Sequence, residues 1–102
     1  MNVVFTNKNL EKLYTSGKSS KYNLQPEVLN KFFMRIQQIE AAVTTQDLIN
    51  YRGLNFEKLT GFPNRYSIRL NKKYRLEMEI TWTNTQQTVG DFFICELSNH
   101  YD

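Results

Sequence analysis

Residues 65–82 read RYSIRLNKKYRLEMEITW. Apolar residues recur at every second position on both sides of the central Asn71, Lys72 and Lys73. Tyr66, Ile68 and Leu70 share one face, with Ser67 and Arg69 on the other. Tyr74, Leu76, Met78, Ile80 and Trp82 share one face, opposite Arg75, Glu77, Glu79 and Thr81. A period of two with one apolar side is the pattern of half-buried antiparallel strands. The apolar faces match when the turn centres on Lys72, which makes Asn71–Lys73 a three-residue connection. Leu70 then faces Tyr74, Ile68 faces Leu76, and Tyr66 faces Met78. A slip of one residue would mix the faces. On the polar side the same register sets Arg69 opposite Arg75 and Arg65 opposite Glu79. Directly opposed like charges cost roughly 0.2–1 kcal/mol. Either an anion lies between the two guanidiniums, or they splay into water or pair with Glu77 and Glu96.

Working outward, NVVFT (residues 2–6) reads as a short strand. Thr6 or Asn7 caps a short helix with Leu10, Leu13 and Tyr14 at helical spacing. TSGKSSKYN is a Gly/Ser loop that ends it. A longer helix follows, with Pro26 and Glu27 in its first turn. Val28, Leu29, Phe32, Phe33, Ile36, Ile39 and Val43 form its apolar stripe, which reads as core. TTQDLINY is a shorter helical piece capped by Thr44 or Thr45. After the hairpin, TNTQQTVGD is a polar connection and FFICEL a third strand. The order β–α–α–β–β–β predicts an α+β fold, a small antiparallel sheet with N-terminal helices packed on one face.

The chain has 102 residues, 40% hydrophobic and 14% aromatic. That predicts one folded domain over residues 1–102, and argues against a disordered chain. No apolar run reaches membrane-spanning length, and the start does not resemble a signal peptide. The single cysteine, Cys95, sits in an apolar run and reads as a reduced core residue of a cytoplasmic protein. Trp82 and the phenylalanines also read as core. One Cys and one His argue against a zinc site. The formal net charge is only +3, but it is unevenly spread. Residues 52–75 hold Arg52, Lys58, Arg65, Arg69, Lys72, Lys73 and Arg75 against Glu57 alone. Residues 76–102 hold no Lys or Arg, and carry Glu77, Glu79, Asp91, Glu96 and Asp102. A basic segment suits a phosphate-rich partner. The plainer reading is a solvated face balanced in space by the acidic segment.

LNFEKLTGF, then RYSIRLNKKYRLEMEI, then a strand ending in ELSNHY resembles the RelE/ParE superfamily of toxins, closest to its HigB-type branch. Leu59 and Gly61 match a Leu-x-Gly element, Tyr66 to Leu70 and Tyr74 to Leu76 match the two hairpin strands, and Asn99 to Tyr101 match the terminal block. The resemblance implies an α+β fold of the microbial-ribonuclease type. It implies a ribosome-dependent mRNA endonuclease that stops translation, using neither metal nor cofactor. The RNA 2′-hydroxyl would attack its own phosphate and leave a 2′,3′-cyclic phosphate. It also implies a cognate helix-turn-helix antitoxin (HigA-like), with ribosome and mRNA as further partners and no membrane.

Such chemistry needs a base for the 2′ proton, an acid for the leaving 5′ oxygen, and cations for the phosphorane. Arginine suits the last need, because its fork matches phosphate and stays charged. Arg75 matches the family's strand arginine, and Arg69 faces it. Lys58 lies in the element where relatives place basic or histidine catalytic residues. His100, the only imidazole, is the first choice for proton transfer. Tyr101 would stack on a base or orient the phosphate, and Glu57 or Asp102 would serve as partner base. Arg52, Arg65, Lys72 and Lys73 are expected to contact RNA, and Lys8, Lys12, Lys18, Lys21 and Lys31 the ribosome. This chain departs from relatives in having no histidine in the Leu-x-Gly element. The alternative functions are a ParE-type, non-nuclease inhibitor of DNA gyrase and a binding module without catalysis. Fold alone does not choose among them.

Overall fold

The computed structural model describes residues 1–99. Eight elements follow one another. They are β1 (Val3–Phe5), α1 (Lys8–Ser16), α2 (Pro26–Ala41), α3 (Thr45–Asn50), β2 (Glu57–Lys58), β3 (Arg65–Arg69), β4 (Tyr74–Trp82) and β5 (Gly90–Asn99). The strands form one sheet in the order β1-β5-β4-β3-β2. Its pairs are antiparallel except β1 with β5, which run parallel from Val3↔Phe92 to Phe5↔Ile94. The result is the expected α+β arrangement, with helices on one face of the sheet.

The hairpin adopts the register that its alternation demands. Arg65 pairs with Glu79, Tyr66 with Met78, Ile68 with Leu76, and Arg69 with Arg75. At its tip the Asn71 Oδ1 accepts the N–H groups of Lys73 and Tyr74 at 2.9 and 2.7 Å. That side-chain turn is what fixes the three-residue loop. The apolar face of the sheet supplies Tyr66, Ile68, Leu70, Leu76, Met78, Ile80, Phe92 and Ile94 to the core. The helices answer with Leu10 and Leu13 from α1, Val28, Phe32, Ile36 and Ile39 from α2, and Leu48 from α3.

Helix ends follow local chemistry. Asn7, rather than Thr6, caps α1 by accepting from the N–H groups of Asn9 and Leu10. The helix stops at Gly17, whose N–H still reaches the Leu13 carbonyl and whose positive φ of 75° turns the following chain out of the helix. Pro26 occupies the first turn of α2. Thr44, rather than Thr45, caps α3, and Asp47 reaches back to the N–H groups of Val43 and Thr44 at 2.8 and 3.2 Å.

Several expectations are corrected. Val43 lies beyond the end of α2 and is 75% exposed, so it is not part of the stripe. Phe62 is exposed and Trp82 only half-buried, with its indole N–H lacking a partner among the described residues. Cys95 is half-buried rather than core, because β5 carries an irregularity there. Glu77 pairs with Glu96 and Met78 with Ile94, which leaves Cys95 as the extra residue. Strand β5 begins at Gly90, inside the stretch read as a polar connection. A Cβ on Gly90 would lie 2.7 Å from the Thr81 carbonyl oxygen, so the close strand contact there requires glycine. Two-residue β2 was not anticipated. No helix among the described residues is long and apolar enough to cross a membrane.

Candidate active site

The face of the sheet away from the helices collects the charged residues of the hairpin. Two neighbouring registers define it. Nearer the turn, Arg69 of β3 faces Arg75 of β4, which pairs in turn with Ser98 of β5. One step further, Glu57 of β2, Ser67 of β3, Glu77 of β4 and Glu96 of β5 are successive partners across four strands. The short strand β2 therefore brings Glu57 into the site.

Arg75 reaches across β3 rather than along it. Its Nη1 donates to Glu57 Oε1 and, at 3.2 Å, to the hydroxyl of Ser67. The Arg75 side chain keeps only 13% of its exposure, and Ser67 is fully buried. A guanidinium pinned at both a carboxylate and a hydroxyl has a fixed orientation. Ser67 is a site residue missed from sequence. Its only signal was a small polar residue between two arginine positions on the polar face.

Arg69 is different. Its guanidinium has no hydrogen bond or ion pair among the described residues. The acids proposed as its neutralisers are taken elsewhere. Glu77 binds Arg65 Nη1 at 3.3 Å, and Glu79 binds Arg65 Nη2 at 3.6 Å. Glu96 accepts the Tyr22 hydroxyl at 3.1 Å and the Leu97 N–H at 3.0 Å. Of the alternatives open from sequence, Arg75 is paired, but with Glu57, and Arg69 is left over. The site therefore holds one oriented and one uncommitted guanidinium, face to face on adjacent strands.

The remaining expected residues divide. Arg65 lies over the Phe62 ring, 4.8 Å from its centroid, with both ends of its fork on carboxylates. Lys58 pairs with Tyr66, a covered-face residue, so the pleat puts it on the opposite side of the sheet from Glu57. Lys72 and Lys73 sit exposed in the turn, with Lys73 Nζ 5.3 Å from the Tyr74 ring centre. Arg52 is exposed after α3, in a shallow groove with Ile49, Tyr51 and Phe56. His100 and Tyr101, and with them Asp102, lie outside the described residues. Cys95 stays a thiol, since burial pushes its pKa up against the opposing pull of Arg65. A protonated thiol is a poor nucleophile. Among the described residues, no three His, Cys, Asp or Glu side chains converge as metal ligands would.

Behind the site, on the helix side, lies Arg35 of α2. It is 4% exposed. Its Nε donates to the Arg69 carbonyl at 3.0 Å and its Nη1 to Gln38 Oε1 at 2.8 Å. Nothing in the apolar periodicity of α2 singled it out.

A five-stranded sheet with three helices on one face defines a small toxin fold of the RelE/YoeB kind. It is similar to the YoeB/ParE toxin from Agrobacterium tumefaciens, with a TM-score of 0.58 and 13% identity, over 99% of this chain and 100% of that one. It is likewise similar to the YoeB dimer from Staphylococcus aureus, with a TM-score of 0.56 and 18% identity, over 99% and 98% of the two chains. At such identities the likeness is one of fold. Residues 3–94 match the HigB-like toxin family, the RelE-like toxins of the type II toxin-antitoxin system HigB, and the chain belongs to that family. Membership of a type II system implies an antitoxin partner. No curated protein matches the chain in sequence.

Proposed function

We propose that the protein is a ribosome-dependent mRNA endonuclease that blocks translation, acting in the cytoplasm as a single domain and held in check by a helix-turn-helix antitoxin of the HigA kind. The observation that carries this reading is the pair of facing guanidiniums at the turn end of the open sheet. Opposed arginines cost stability, and among the described residues one of them is left uncommitted. A phosphate between them removes that cost.

In the reaction, the 2′-oxygen attacks the adjacent phosphorus and the bond from phosphorus to the 5′-oxygen breaks. The products are a 2′,3′-cyclic phosphate and a 5′-hydroxyl. Negative charge grows on the non-bridging oxygens, and Arg69 and Arg75 hold it. Entry of the phosphate exchanges the Glu57 carboxylate for phosphate oxygens on the Arg75 fork. That exchange releases Glu57 to take the 2′ proton. His100, which directly follows the last described residue of β5 in sequence, protonates the leaving 5′-oxygen, and Tyr101 orients the phosphate or stacks on a base. Arg65, Lys72, Lys73 and Arg52 contact flanking RNA, and Lys58, on the other side of β2 from Glu57, contacts RNA at the sheet edge rather than the reacting phosphate. The lysines at positions 8, 12, 18, 21 and 31 lie on or near α1 and α2 and contact the ribosome.

The test is primer extension on a defined mRNA held in ribosomes, with wild-type protein and His100→Ala, each with and without ribosomes. Cuts that need ribosomes and fall at least a hundredfold in the variant are the expected outcome, the scale of general acid catalysis. Cuts that persist in the variant would move proton transfer to Glu57, Tyr101 or Asp102. No cuts from a protein that still arrests growth would overturn the nuclease reading, and a supercoiling assay would then test gyrase inhibition.

A further inference from the structure

Arg35 sits in an unfavourable place for a charge. It lies on the core side of α2, next to Ile36 and one turn from Phe32 and Ile39, which are all fully buried. No carboxylate pairs with it among the described residues. Its acceptors are neutral, the Arg69 carbonyl and the Gln38 amide oxygen. An ion taken out of water without a counter-ion is strongly disfavoured. An apolar side chain of similar length would fill the same space without that cost. The burial pulls the Arg35 pKa down, in line with an uncompensated charge.

What the guanidinium holds is specific. Strand β2 pairs with β3 only at Tyr66 and Ser67. Beyond that point the outward backbone groups of β3 need other partners. At Arg69 both are satisfied, the N–H by the Leu54 carbonyl at 2.7 Å and the C=O by Arg35 at 3.0 Å. Arg35 thus replaces the missing strand at Arg69, the site cation whose side chain has no partner among the described residues. Its planar fork sets the direction of that bond, because Gln38 holds the other end. Its charge adds to the positive potential at the Arg69 end of the sheet, which favours an anion there.

We infer that Arg35 is a positioning residue for the phosphate site. It fixes the backbone from which Arg69 projects and adds a buried positive charge behind it. This rests on the reading of the Arg69–Arg75 pair as the place where RNA phosphate binds.

The test uses the full chain with Arg35→Met, Arg35→Lys and, as reference, Arg69→Gln. Inorganic phosphate is titrated by phosphorus NMR, each protein's folded fraction is measured by circular dichroism, and ribosome-dependent cleavage is scored as kcat and KM. Phosphate affinity should fall about tenfold in Arg35→Met, the scale of one charged hydrogen bond, and by an intermediate amount in Arg35→Lys. Per folded molecule, kcat should drop with the affinity while KM for the programmed ribosome stays within about twofold, because contacts to the ribosome away from this phosphate site dominate KM. Phosphate affinity equal to wild type in both variants would overturn the inference and leave Arg35 a plug for the strand end. If the Met variant does not fold, the Lys variant decides by the same comparison. Wild type that binds phosphate but never cuts RNA would sink the nuclease reading, while the affinity ratios still judge Arg35. Wild type that does not bind phosphate would sink the inference itself.

Discussion

Arg69 and Arg75 are partners in the β3–β4 register, and among the described residues only Arg75 of the two has a carboxylate. At this residue scale the protein accepts a local cost where it has an apparent remedy. A glutamine at position 69 would keep the polar face wettable and remove the opposed charge. Arg69→Gln should therefore leave stability unchanged or raise it by about 0.2–1 kcal/mol, the range for opposed cross-strand charges. Urea denaturation at neutral pH measures this directly. The same variant should lose phosphate binding, so stability and function move in opposite directions. Loss of stability on removing Arg69 would mean that its guanidinium is structural, and the anion site would lose its main support. Arg75 should behave oppositely, since it anchors Glu57 of a strand only two residues long.

The elements differ in how legible they were. The hairpin was readable to the residue because one face is apolar and the turn is short, so register and sidedness determine each other. Helix α2 was readable from its stripe, but its end was not. Val43 continues the apolar spacing after the backbone has already turned extended at Ala42. Strand β2 was invisible, because Glu57 and Lys58 are both charged and its pairing comes from β3 rather than its own preference. That gap hid how Glu57 reaches Arg75. Ser67 and Arg35 were missed for a related reason: their roles depend on contacts between elements far apart in sequence, which no local period encodes. Helix α3, which leads into the loop before β2, gives a pH-dependent prediction. The backbone N–H groups of Val43 and Thr44 hold the Asp47 carboxyl below its usual pKa. A depressed folded pKa contributes stability above the unfolded value of about 3.9, and that contribution disappears as pH falls through the folded pKa. Asp47→Ala should thus lower the urea midpoint at neutral pH, with the gap to wild type closing below about pH 4. A gap of constant size across that range would show that the carboxylate charge adds nothing to the cap.

For the whole molecule, the useful quantity is how many of its basic groups remain available to a polyanion. The sequence offered two readings of residues 52–75, a phosphate-binding segment and a face balanced by the acidic residues after it. Both hold in part. Arg65 is committed to Glu77 and Glu79, two of those acids, whereas Arg75 is committed to Glu57. Among the described residues, Arg69 and Lys72 have no ion-pair partner on or beside the open face. Neutralising a phosphate of single-stranded RNA releases a counter-ion, and each such contact lowers the slope of log affinity against log salt by about 0.7. A cation already paired with carboxylates releases less, since its field was partly compensated before binding. The expected ranking follows from the ion pairs alone. Arg69→Gln and Lys72→Gln should each make the slope shallower by about 0.7, and Arg65→Gln by clearly less. Filter binding of a short single-stranded RNA across a salt series, with ribosomes absent, provides the slopes. Equal effects at positions 65 and 69 would mean that RNA strips Arg65 from its acids, making the whole basic segment one phosphate track. No effect at position 69 would place the RNA elsewhere on the surface.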